Sequence, residues 1–332
     1  MSKHTPDEGN AVFSVQSQSE VSQELDIRDV SFDGTNLSDI SERDKVWDKH
    51  RANSDRVSDY YNGSYYNRYS QRINECSNLL DFKLTPDSDE GLLKLKLSAA
   101  KFCRVRHCPV CQWRRSLAWK AKAYQSLPKV VKDFSKYRWL FLTLTVRNCP
   151  INELKNTLNW MNKSFIRLTQ LKLWPADGWI KFVEVTRGRD GNAHPHIHCL
   201  IMVPPSYFSG QDYLSQNRWV ELWRQCARLD YNPSCHIKAI AKHHNPCVIV
   251  PEILKYQVKE SDLIADRDWF LELTKQLHRT KAVSVGGVLR RYMSNLESEP
   301  SDLIGESEDG LPDEGHLYFG WEAKKKKYKL IE

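Results

Sequence analysis

The stretch Ala193-His194-Pro195-His196-Ile197-His198-Cys199-Leu200-Ile201-Met202-Val203 decides the reading of this chain. Its apolar residues run on without a polar turn residue, which predicts a buried strand. Histidines interrupt it with period two, so His194, His196 and His198 share one face. An imidazole is costly to bury unless it is paired or bound. A single histidine on an apolar face is usually a satisfied core residue; three on one face point to a metal ion.

The surrounding sequence supplies a partner. Ile180 to Thr186 reads as a strand, Gly188 to Asn192 as a turn, and the histidine strand returns from it. A turn centred near Asp190 sets Glu184 roughly opposite His196 or His198. Two imidazoles and a carboxylate make a mixed N/O donor set that suits Mn²⁺ or Mg²⁺ acting on a phosphate oxygen. His194 fits either as a further ligand or as a residue that orients a neighbour.

Working outward, Trp139 to Val146 and Cys235 to Ile240 read as strands, and Val283 to Val288 as a short last one. Ile151 to Leu171, Gln216 to Leu229, Pro251 to Lys259 and Asp266 to His278 read as helices. The fold class is therefore α+β: an antiparallel sheet covered by helices. On the predicted helix 251–259, Glu252 and Tyr256 lie at i and i+4, with Lys259 three residues further. A tyrosine hydroxyl becomes a nucleophile when its charge is stabilised, by a metal and by Lys259. Glu252 is placed to act as general base for water.

Upstream lies Cys103-x4-Cys108-Pro109-Val110-Cys111, with Cys76 before it. In a reducing compartment this pattern favours tetrahedral Zn²⁺ over disulfides. Cys76 and His107 compete as fourth ligand; Cys76 is preferred, because His107 adjoins Cys108 too closely to reach the same ion. From Lys94 to Arg138 thirteen Lys and Arg face a single acid, Asp133. A solvated helix face would read the same, but Trp113, Trp119 and Tyr124 interleave with the charge. That mixture suits nucleic acid, with Arg104, Arg106, Arg114, Arg115, Lys120 and Lys122 as candidate contacts on and before a basic helix from Trp113 to Val131.

The 332 residues carry a net charge of +7. No apolar run is long enough to span a membrane, and no apolar signal region opens the chain, so a cytoplasmic protein is expected. Four regions are predicted: 1–58, acidic and disordered; 59–131, a basic Cys-rich zinc lobe with a DNA-binding helix; 132–296, the domain of the histidine strand; and 297–332, a tail with the Lys324–Lys327 cluster.

Taken in order, these motifs resemble the replication initiators of rolling-circle plasmids, the single-tyrosine class of the HUH endonuclease superfamily. The first family motif is matched by Phe141-Leu142-Thr143-Leu144-Thr145-Val146, the second by His194 to Leu200, and the third by Glu252, Tyr256 and Lys259, with Asp262 fitting a further acid. The resemblance covers roughly residues 70 to 295. It implies an RRM-like HUH core in which His196 and His198 hold a divalent ion. Tyr256 would cut one strand of the plasmid origin, keep the 5′ end and free a 3′-OH primer, and Glu252 would activate water for termination. It also implies single- and double-stranded origin DNA, a host helicase and a polymerase as partners. Two other readings stand beside it. One is a single-tyrosine transposase or mobilisation relaxase; the other is a zinc-dependent DNA-binding regulator without catalysis.

Overall fold

A computed structural model describes residues 34–86, 93–210, 212–241, 246–254, 257–294 and 315–331. In chain order the helices are α1 Leu37–Ile40, α2 Val46–Tyr61, α3 Asn67–Asn74, α4 Pro109–Asp133, α5 Leu154–Thr169, α6 Ser206–Ser209, α7 Gln216–Ala227, α8 Val250–Ile253, α9 Glu260–Leu263, α10 Arg267–Gln276 and α11 Leu289–Met293. The strands are β1 Leu79–Pro86, β2 Leu93–Ala100, β3 Arg138–Thr145, β4 Gly178–Arg187, β5 Ala193–Val203, β6 Cys235–Ala239, β7 Val283–Gly287, β8 His316–Glu322 and β9 Lys327–Leu330.

The expected α+β class holds. The histidine strand β5 is the centre of a five-stranded sheet in the order β6-β3-β5-β4-β7, with antiparallel pairing throughout. Register sets its two faces apart. On one, Met202 lies opposite Trp139, Leu200 opposite Phe141 and Ile180, and His196 opposite Thr145 and Glu184. The apolar end of that face packs on Ala123, Leu127 and Val130 of α4, Val250 of α8, and Leu289 and Met293 of α11. The other face is covered by α5 and α7; Lys181 reaches across to Asn162 of α5 (2.5 Å), and Trp223 of α7 donates to the Thr145 carbonyl (2.8 Å). The histidines thus continue a core face in unbroken register, so their surroundings are fixed by the same packing that folds the sheet.

One sheet was expected and a second is present. It has four strands in the order β2-β1-β8-β9, all antiparallel. Two boundaries change as a result. The tail 297–332 contains β8 and β9, and Phe319 pairs with Leu80 over a long sequence separation. The expected disorder of 1–58 does not extend over its described part, which forms α1 and most of α2; residues 1–33 lie outside the described residues. The cause is Trp47, 2% exposed, whose ring meets Phe82, Phe102, Trp113 and Tyr328 at centroid distances of 4.7 to 6.5 Å. One such anchor offsets the polar character of the residues around it. Trp47→Ala is therefore expected to destabilise the protein by about 3–5 kcal/mol, read as the shift in a chemical denaturation midpoint at unchanged slope.

The predicted basic helix begins earlier, at Pro109, because Cys108 is extended and proline suits the first helical position. The predicted helix 251–259 is not continuous. Helix α8 ends at Ile253, Val258 forms a parallel bridge with Val185, and Lys259 is extended at the start of α9. β-Branched Val258, fully buried, is drawn to the edge of β4 beyond the end of β7.

Candidate metal centre and nucleic-acid interface

Glu184 and His196 are direct cross-strand partners, and His198 follows one pleat away on the same face. The Glu184 Oε2 atom is 2.9 Å from His198 Nε2 and 3.3 Å from His196 Nε2. Thr143 on β3 stands opposite His198, its Oγ1 3.2 Å from Nδ1, and Phe141 stacks on the same ring. The ring is thereby oriented from behind while Nε2 faces the carboxylate. Burial pushes the Glu184 carboxyl up, but the hydrogen bonds and charges of the two histidines outweigh it and hold the group well below the usual carboxylate range. An ionised carboxylate and two imidazole nitrogens at these separations can hold a metal ion. They match neighbouring positions on an octahedral ion, about 3 Å apart for bonds of about 2.1 Å. His194 stands outside this donor group, opposite Thr186, with its ring 4.8 Å from that of His196.

The second donor group consists of Cys76, Cys103, Cys108 and Cys111, all buried. The sulfur separations are 3.6 Å (Cys103–Cys111), 3.7 Å (Cys76–Cys111) and 3.8 Å (Cys76–Cys108). A tetrahedron with bonds of about 2.3 Å has edges of about 3.8 Å, so the four thiols fit Zn²⁺. Three backbone amides point at sulfur: Cys103 to Cys76, Arg104 to Cys111 and Val105 to Cys103, at 3.3–3.4 Å. Arg104 takes a left-handed backbone (φ 56°) to make this turn. His107 is buried against Phe270 and belongs to neither group, which leaves the fourth place to Cys76.

The third predicted constellation is only partly described. Tyr256 lies outside the described residues, and Glu252 falls within α8. The neighbours are anchored: Leu254 is 1% exposed in the core that includes Phe182, and the Gln257 carbonyl accepts the Val185 amide at 2.8 Å. These two contacts bracket Glu184 on β4. Lys259 is exposed and off the helix. Asp262 accepts the Arg187 amide at 2.9 Å, which closes the end of β4.

The basic residues divide by environment. Arg104 and Arg115 are exposed; Arg114 lies over Phe102 and Trp47, and Lys122 over Trp119. Lys120 is half-buried, and burial pulls its pKa down. Arg106 is half-buried, and its Nη2 donates to Gln257 and Thr280, with which it lines the larger of two clefts. A cleft of about 820 Å³ runs between α4 and β7, lined by Arg104, Arg115, Trp119, Phe182, Lys281 and Arg290. A smaller one of about 400 Å³, which shares Arg104, Arg115 and Trp119, follows α4 as far as Lys122. Cation beside aromatic is the composition that holds a nucleic-acid strand. Sequence reading missed Lys281 and Arg290, which become part of this cleft only when β7 joins the sheet. It also missed the role of Thr143, although the Thr-x-Thr strand was its signal.

The chain thus carries a His/Glu donor group on the central strands of an antiparallel sheet, a four-cysteine cluster and a basic cleft. A profile of the replication protein family matches residues 94–329. "Protein rep" of Lentilactobacillus hilgardii is 30% identical over 291 residues, covering 82% of this chain and 90% of the relative. "Protein rep" of Streptococcus pneumoniae is 31% identical over 301 residues, covering 86% and 92%. "Protein rep" of a Bacillus species is 32% identical over 273 residues, covering 74% and 84%. No solved structure matches the chain. The chain belongs to the replication protein family, in agreement with the resemblance of its motifs to plasmid initiators. No described helix is long and apolar enough to cross a membrane.

Proposed function

We propose that this protein nicks and rejoins one strand at the origin of a rolling-circle plasmid. The observation that carries the reading is the convergence of Glu184, His196 and His198, backed by Thr143, on the face that adjoins the anchored flanks of Tyr256. Glu184, His196 and His198 would hold Mn²⁺ or Mg²⁺, which would supply Lewis-acid polarisation of a non-bridging phosphate oxygen. The Tyr256 oxygen attacks the scissile phosphorus, loses its proton, and forms a phosphotyrosyl bond to the 5′ end of the downstream fragment. The bond to the 3′ oxygen breaks, and that oxygen takes up a proton to become the free 3′-OH that a host polymerase extends behind a helicase. At termination Glu252 takes a proton from water for hydrolysis. The basic cleft along α4 would hold the strand, with Arg104, Arg114, Arg115, Lys120 and Lys122 near the phosphates. Zn²⁺ in the four-cysteine cluster has a structural part, because all four positions are closed by protein.

The test is conversion of supercoiled plasmid carrying the cognate origin to open circle. Wild type is expected to nick with Mn²⁺ or Mg²⁺ and to stop with EDTA. His196→Ala/His198→Ala is expected to lose at least about 100-fold in rate while still binding origin DNA. Nicking that persists in EDTA or in the double variant would overturn the metal role. Binding without nicking by wild type would turn the reading into that of a regulator.

A further inference from the structure

The row of side chains that carries His198 does not end at the metal ligands. Pairing registers it across all five strands: Val283 of β7 lies opposite Phe182, Phe182 opposite His198, His198 opposite Thr143, and Thr143 opposite His236 of β6. Partners in register share a face, so His236 stands on the same side of the sheet as His198. Lys238 follows one pleat further on, opposite Phe141. Both residues are exposed. β6 is the edge strand opposite β7, and His236 lies two strand spacings from His198, roughly 10 Å.

The same flank carries a further cation. Thr145 lies opposite His196, in the row of Glu184, and its amide and hydroxyl both donate to the Ser234 carbonyl just before β6. Two residues on, the Arg147 amide is fixed by the Tyr231 hydroxyl at 2.9 Å, and its guanidinium stacks 3.8 Å from the centre of the Tyr231 ring. The acid beside it is Asp230, 4.0 Å away with a side chain 87% exposed, where water weakens the pair. Arg147, His236 and Lys238 thus stand on the β6 side of the metal ligands. The basic cleft with Lys281 and Arg290 opens on the β7 side.

We propose that the β6 edge, through Arg147, His236 and Lys238, is a second contact tract for single-stranded DNA, and that it takes the flank of the scissile phosphate that the α4 cleft does not. This rests on the reading of Glu184, His196 and His198 as the place of that phosphate. A strand laid along the register row meets cation and aromatic ring on both sides of the metal ligands: Arg115 and Trp119 in the cleft, Arg147 and Tyr231 at the other edge. Cations on an edge strand also guard it against pairing with another sheet. That role sets no requirement for the face of the metal ligands, which His236 and Lys238 share.

The test uses the full-length protein in EDTA, so that the DNA stays intact. The oligonucleotides come from the replicon's own origin and are centred on the nick that wild type makes with Mn²⁺ or Mg²⁺. One carries both flanks, one the 5′ flank alone and one the 3′ flank alone, and affinity is read by anisotropy across a salt series. Arg147→Ala/Lys238→Ala is expected to bind the two-flank oligonucleotide on the order of tenfold more weakly, with a salt slope shallower by about 1.4, at about 0.7 for each phosphate contact. Its loss should persist on one single-flank oligonucleotide and vanish on the other. Lys281→Ala/Arg290→Ala should show the reverse pattern. His236→Ala is expected to lose about threefold on the same flank as Lys238→Ala, and Lys238→Arg, which keeps the charge, to stay within about twofold of wild type. Melting curves should be unchanged, because the substituted positions are exposed. Undiminished affinity in Arg147→Ala/Lys238→Ala, losses confined to the same flank for both double variants, or variants that self-associate while binding DNA as wild type does would overturn the proposal. Failure of the underlying reading shows separately, as wild-type protein that makes no nick or as nicking undiminished in His196→Ala/His198→Ala.

Discussion

Tyr256→Phe is expected to abolish covalent capture of origin DNA, with cleavage falling by on the order of 10⁴-fold or more. The substitution removes one oxygen and keeps the ring, so packing changes little and the effect falls on chemistry. Anchors lie on either side in the sequence: Leu254 is buried in the core with Phe182, and Gln257 is bonded to Val185. Those anchors do not depend on the hydroxyl, and affinity for the origin strand should stay within about twofold of wild type, because phosphate contacts rather than the nucleophile set it. The measurement is a denaturing gel of protein with oligonucleotides labelled at either end. A label on the downstream fragment, whose 5′ phosphate the tyrosine would hold, should migrate with wild-type protein and not with the variant. An undiminished adduct would remove Tyr256 from the mechanism. It would turn attention to Tyr231, whose hydroxyl accepts the Arg147 amide two residues beyond Thr145.

What could be read from the chain follows from the range over which each signal acts. The histidine strand was legible because a period of two is a local property, and a five-residue turn fixes the hairpin register; Glu184 accordingly faces His196. The cysteine set was legible because three of its members lie within nine residues and thiolate chemistry leaves few alternatives. The second sheet was not. Its pairing of Leu80 with Phe319 joins segments far apart in the chain, and each strand alone is short and half-exposed. The folded start of α2 was hidden for a related reason, since Trp47 has value only once Phe82, Phe102, Trp113 and Tyr328 surround it. The helix expected through Lys259 failed because the spacing of Glu252, Tyr256 and Lys259 fits a helix, while Val258 gains more from the edge of β4. Arg106 was read by its charge alone; its acceptors, Gln257 and Thr280, lie more than 150 residues away.

Cys108→Ser is expected to be the most damaging substitution for stability. All four sulfurs of the cluster are buried, and Cys108 is fully so, at the joint between the knuckle and α4. Hydrogen bonds among the sulfurs push the Cys76 and Cys103 thiols up and pull the Cys108 thiol below its ordinary range against its burial, so the four groups share their protons. Where a structural zinc is bound only in the folded state, its binding free energy is folding free energy, about 10–16 kcal/mol in small zinc peptides. A serine oxygen is a poor substitute ligand, and three buried thiols would remain without a common partner. The expected result is one equivalent of zinc in wild type, near none in Cys108→Ser, and a melting temperature lower by more than about 10 °C, with the same fall in wild type on prolonged chelation. Cys226→Ser, whose sulfur lies outside the cluster on α7, serves as the control and should keep its zinc. Wild-type protein that melts unchanged after its metal is removed would show instead that four packed thiols suffice. The knuckle would then owe its shape to the amides around the sulfurs and to Trp47, Trp113 and Phe102 beside it, and Arg106 would hold Gln257 without any metal behind it.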